Sequence, residues 1–128
     1  MSVEKTPAQA NREIAIQFLR LAASGKVREA YETYVGPSFK HHNPFFAPGA
    51  NALRAGMEKA AKEDPNKAFE IQRTCTEGGV VAVHSRVRKA SKDFATVHII
   101  RIEDGKIAEL WDVVSEVPKD SPNTDGMF

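Results

Sequence analysis

Asp112 is the residue from which any chemistry in this chain has to be argued. It stands in Gly105-Lys106-Ile107-Ala108-Glu109-Leu110-Trp111-Asp112-Val113-Val114, a carboxylate inside an apolar strand pattern. Burying a charge there is costly unless it finds a partner, and ionisable groups so placed are frequent catalytic candidates. A dry surrounding disfavours the charged form, which suits a general acid or a base working near neutral pH. Proton abstraction beside a carbonyl needs such a group next to a donor that stabilises the enolate oxygen. The bland alternative is a carboxylate tied to a backbone N–H, a helix end or Arg101.

His41-His42-Asn43-Pro44 is the second chemical stretch. Asn43, before a proline, suits a turn held by its own side chain. His42 is a candidate to reach a cavity mouth and polarise a carbonyl or shuttle a proton, whereas His41 reads as solvated. His84 and His98 fall in strand patterns and, on adjacent strands, would share a polar site. Zinc held by His42, His84, His98 and Asp112 is chemically possible. Their spacing carries no metal signature, so no metal is expected. Phe45, Phe46, Tyr31, Tyr34, Phe69 and Trp111 read as core or cavity wall, around a chamber suited to a small apolar ligand. Asn43, His84, His98, Trp111 and Phe46 are the expected substrate contacts, with Asp112 and His42 as the catalytic pair. Gly78-Gly79 reads as a turn; no nucleotide fingerprint occurs, and this chemistry requires no cofactor.

Elements must bring these residues together. Thr6-Pro7 reads as a helix start, followed by apolar residues at helical spacing from Ile14 to Ala22 and a stop at Gly25. Val27, Ala30, Tyr31, Tyr34 and Val35 mark a second helix, stopped by Gly36-Pro37. Phe39 to Gly49 reads as an ordered loop, and Asn51 to Glu63 as a third helix. From Ala68 the period changes to two. Strands are expected from Phe69, at Val80 to Val87, at Phe94 to Ile102 and at Ile107 to Val114. Helices segregated from an antiparallel meander indicate an α+β fold. A two-residue turn at Asp104-Gly105 pairs Ile102 with Ile107. Counting back, His98 then opposes Trp111 and Val97 opposes Asp112, so His98 and Asp112 point to opposite faces. A β-bulge would reunite them. Without one, the site is either Asp112 with Leu110 and Ile99, or His98 with Trp111 and His84.

The chain's 128 residues suit one domain with a real core, expected over 1–117, with a polar tail over 118–128. A net charge of +1 provides no field for nucleic acid or an anionic membrane. The polar stretch Met1 to Ala10 lacks a signal-peptide core, and no apolar run approaches a membrane span. Cys75, the single cysteine, reads as a buried structural thiol in a reducing, cytoplasmic setting. Val81, Val83 and Val87 on one sheet face and Val80 and Ala82 on the other predict that the outer face meets a second subunit.

The succession of helix, helix, His42-Asn43-Pro44, helix, then strands carrying His84, Arg101-Ile102-Glu103-Asp104-Gly105-Lys106-Ile107 and Trp111-Asp112 resembles the SnoaL-like polyketide cyclase family, of the nuclear transport factor 2-like superfamily. The resemblance spans Ala8 to Val117. It implies a curved antiparallel sheet wrapped by helices into a cone (a cystatin-like roll) with a mostly apolar cavity, and a homodimer. It also implies cyclase- or isomerase-type chemistry on a small carbonyl or polyketide-like compound, or a non-catalytic binding or assembly module on the same scaffold. The chain departs from the family pattern at His41, where many relatives have glutamine, at Leu110, where many have histidine, and at His98, where aspartate is frequent.

Overall fold

Thr6 and Gln9 close a reciprocal cap in the computed structural model, which describes residues 4–128. Thr6 Oγ1 accepts from the Gln9 N–H at 3.1 Å, and the Gln9 side chain accepts from the Thr6 N–H at 2.9 Å. Residues 1–3 of the polar opening stretch lie outside the described residues. The cap starts α1 (Pro7–Ala23), which ends at Gly25 in the left-handed region. Helix α2 (Val27–Tyr34) follows at once and packs against α1. After α3 (Ala50–Glu63) come four strands: β2 (Ala68–Glu77), β3 (Val80–Arg88), β4 (Asp93–Glu103) and β5 (Lys106–Glu116).

Gly36-Pro37 does not simply stop α2. It lies inside β1 (Val35–His41), which takes Phe39 to His41 out of the expected loop. The strand runs parallel to β5 at the edge of one open, curved five-stranded sheet of order β1-β5-β4-β3-β2, the other pairings being antiparallel. Proline lacks the N–H a central strand needs but is tolerated at an edge. Gly36 also permits close approach: a Cβ there would lie 3.1 Å from the Cβ of Lys106, whose ammonium donates to the Thr33 carbonyl at 2.7 Å.

One irregularity in the β4–β5 hairpin decides the site. Asp104 and Gly105 both have positive φ, as the two-residue turn requires. Ile102 pairs with Ile107, but Arg101 pairs with Glu109, leaving Ala108 as the extra residue of a bulge. Ile107 and Ala108 are consequently both buried. Beyond the bulge every β5 residue is displaced by one, and His98 stands opposite Asp112.

The core lies between the sheet's inner face and the helices. Phe18, Val27, Leu53, Val81, Val83, Ile100 and Ile107 are fully buried; such side chains each contribute roughly 1.5–3 kcal/mol. Tyr31 meets Phe18 and Phe39 edge-on, at centroid distances of 5.5 and 6.1 Å. Residues 118–128 form no helix or strand. The Phe128 ring nevertheless stacks on His84 at 5.9 Å, with the Arg86 guanidinium 4.9 Å from its centre. Cys75, expected to be buried, is exposed: β2 is an edge strand and its outer residues face solvent. No helix among the described residues is long and apolar enough to cross a membrane.

Candidate functional site

The bulge carries Asp112 onto the inner face of β5, in line with His98 on β4 and Val83 on β3. Its side chain is only 10% exposed and that of His98 17%, and His98 Nε2 lies 3.4 Å from Asp112 Oδ1. That approach is too far off line for a hydrogen bond. Asp112 Oδ1 and His98 Nδ1 are buried with no hydrogen-bond partner among the described residues. Buried polar atoms nearly always have partners, so an orphaned pair on facing strands marks a place where a polar group of a ligand would be stabilised. Burial pushes the His98 imidazole below its ordinary 6.5, against the opposing pull of the Asp112 charge. The ring is therefore neutral at pH 7, with one donor and one acceptor nitrogen.

Asn43 anchors the other side of the carboxylate: its Nδ2 donates to Asp112 Oδ2 at 2.9 Å, while its Oδ1 accepts from the Phe45 N–H at 3.0 Å. His41 is a loop organiser rather than a solvated side chain. Its Nδ1 accepts from the Asn43 N–H at 3.1 Å, which leaves Nε2 to donate to the Ala47 carbonyl at 2.8 Å. Phe46 continues the loop onto α3, where a Cβ on Gly56 would come within 2.1 Å of its ring; Phe45 points to solvent. Tyr31, buried in the core, donates to the Met57 thioether at 3.1 Å. Burial first, and the nearby Asp112 charge second, hold its hydroxyl far above the ordinary phenol range, with Arg54 opposing.

His42, His84 and Trp111 do not join this group. Trp111 alternates with Asp112 and lies on the outer face, where His42 stacks on it at 4.9 Å and 7°. His42 Nε2 bonds Glu109 Oε2 at 2.6 Å, and Arg101 Nε reaches the other Glu109 oxygen at 3.2 Å. His42 thus sits across the sheet from Asp112 instead of at a shared cavity mouth. His84, also outward, accepts from Arg73 and carries the Phe128 ring. Among the described residues no group of three or more His, Cys, Asp or Glu side chains could hold a metal ion.

A half-open pocket of about 230 Å³ lies between α1, α3 and the sheet. His98 and Thr96 line its inner end, Leu19, Ala22, Met57, Phe69 and Val87 its walls, and Asp64, Asn66 and Lys89 its rim. Sequence reasoning did not single out Lys89, because a lysine after a strand carries no signal until the fold turns it inward. Tyr31 was legible only as an aromatic on the buried stripe of α2.

A family model described as SnoaL-like domain matches residues 15–110. A search of curated proteins found no match. Among solved structures, an NTF-2 like protein of unknown function from Burkholderia xenovorans LB400 is 19% identical, with a TM-score of 0.71 over 88% of each chain. An LEH-like epoxide hydrolase of M. tuberculosis is 13% identical, with a TM-score of 0.70 over 86% of each chain. A putative SnoaL-like polyketide cyclase from Jannaschia sp. CCS1 is 18% identical, with a TM-score of 0.68 over 89% of this chain and 92% of the other. At these identities the likeness is one of fold.

Proposed function

The chain belongs to the SnoaL-like domain family, and from that premise we propose that it performs cyclase- or isomerase-type acid–base chemistry on a small, mostly apolar carbonyl or polyketide-like compound. The observation that carries this reading is the buried His98–Asp112 pair with an unpartnered atom on each side chain. Asp112 Oδ1 takes the proton from the carbon beside the carbonyl. His98, neutral through burial, has one ring N–H to donate to the oxygen on which negative charge develops. Asn43 keeps Asp112 Oδ2 engaged and so aims Oδ1. The chemistry calls on no cofactor.

The test is turnover of a β,γ-unsaturated ketone and of an aldol-competent diketone by the wild type and by Asp112→Asn, with circular dichroism confirming the fold. Loss of turnover in the variant is expected; unchanged turnover would remove Asp112 from the mechanism. A second reading, a non-catalytic ligand-binding or assembly module, is favoured by one observation: His98 lines the pocket and Asp112 is not among its lining residues. That reading requires thermal stabilisation by apolar ligands with no product formed.

A homodimer through the outer sheet face belongs to the same proposal, supported by Val113, which is 58% exposed beside Trp111. Sedimentation giving only a monomer at tens of micromolar would refute it. A cytoplasmic setting is part of the proposal too, in keeping with the unpaired thiol of Cys75.

A further inference from the structure

The two ends of the pocket differ in kind. At the inner end stands the neutral imidazole of His98. At the rim stands Lys89, the cation among the lining residues, with its side chain only 21% exposed. Its neighbours there have little left to donate: Ser24 Oγ is committed to the Leu21 carbonyl at 2.9 Å, and Asn66 Nδ2 to the Ala23 carbonyl at 3.0 Å. Lys89 Nζ spends one proton on the Asp64 carbonyl at 2.6 Å. It also lies 3.6 Å from Asp64 Oδ2, but the Asp64 side chain is 62% exposed. A solvent-facing carboxylate at that distance makes a weak, screened pair that a better-placed anion displaces. Between the two ends the wall is apolar: Leu19, Ala22, Met57, Ala60, Phe69 and Val87.

We propose that the pocket takes an apolar-bodied carboxylic acid, its carboxylate at Lys89 and its carbonyl at His98. The carbonyl end rests on the acid–base reading above; the acid end is new and independent of it. The length of the body follows from the sheet. Lys89 comes directly after Arg88, whose partner Asp93 stands about 16 Å along β4 from His98. A medium-length chain spans the distance once the lysine side chain folds back towards Asp64.

Decanoate and decanol, titrated calorimetrically into the intact protein, isolate the charge. The wild type should bind decanoate about tenfold tighter than decanol, the scale of one well-placed charge-assisted hydrogen bond. Lys89→Met should abolish that preference and keep decanol affinity, whereas Lys92→Met, an exposed lysine outside the pocket, should leave the preference intact. Equal affinity for acid and alcohol, a preference that survives in Lys89→Met, or no binding of either probe would overturn the proposal. The outcome is separable from catalysis. Unchanged turnover in Asp112→Asn defeats the acid–base reading and leaves the charge preference standing. Absent preference with turnover lost in Asp112→Asn defeats only the ligand class.

Discussion

Two histidine–carboxylate pairs are built on β5 within four residues of each other, and they have opposite character. On the outer face, His42 and Glu109 are joined at 2.6 Å, the remaining carboxylate oxygen is taken by Arg101, and the imidazole is backed by Trp111. On the inner face, His98 and Asp112 stand 3.4 Å apart out of line, each with an orphaned buried atom. The outer pair is satisfied, so nothing in it awaits a ligand. The inner pair bears the desolvation of Asp112 Oδ1 and His98 Nδ1 without bonds that would offset it, Asn43 satisfying only Oδ2. A fold selected only for stability would fill that position with apolar side chains, since replacing a buried polar pair by hydrophobes is often neutral or stabilising. Its retention beneath a pocket is what makes the inner pair the functional candidate.

The contrast is broken most directly by activity. Asp112→Asn should lower turnover by roughly 100-fold or more, the usual contribution of a positioned acid or base, while His42→Ala should leave turnover within the error of the assay. Comparable losses in both would mean that the two faces are not functionally distinct. Stability gives the next largest effect. His98→Leu sets an apolar side chain against the buried Asp112 carboxylate and should cost about 1–3 kcal/mol in urea unfolding. Adding Asp112→Leu to it should restore much of that loss, because the double replacement removes both polar groups. Additive losses would instead show that the two side chains do not interact in the folded protein. Asn43→Ala should cost about 1–2 kcal/mol, since it leaves a second Asp112 oxygen unpaired.

Much of the scaffold was legible, for identifiable reasons. The helices announce themselves through Thr6-Pro7, Gly25 and apolar spacing, and the strands through a change of period at Ala68. What escaped was non-local. β1 forms because β5 offers an unpaired edge, which overrides the stop signal of Gly36-Pro37. The bulge at Ala108 has no local signature, yet it alone decides that His98 faces Asp112 rather than Trp111. A strict count from the turn places the two on opposite faces, and only the hypothesis of a bulge reunites them. His42 went astray for a related reason: its reach depends on how β1 enters the sheet, and β1 delivers it to the outer face.

The smallest effects lie in the pH dependence of stability, and there the two pairs separate by window. His98 has its folded-state pKa lowered from 6.5 by burial, so between the two values the unfolded chain binds more protons than the folded one. The stability that neutral, buried His98 permits is present above 6.5 and declines as pH falls below it. Glu109 has its folded-state pKa lowered from 4.5, first by the His42 hydrogen bond and also by Arg101, so its contribution is present above 4.5 and is lost only as pH falls through the lower folded value. Urea midpoints followed from pH 8 to 4 should therefore start to fall near 6.5 in the wild type, and His98→Leu should flatten that first decline. His42→Ala should leave the first decline in place and weaken only the later, more acidic one. If His98→Leu left the decline near 6.5 unchanged, the inner ring would be absent from the linkage.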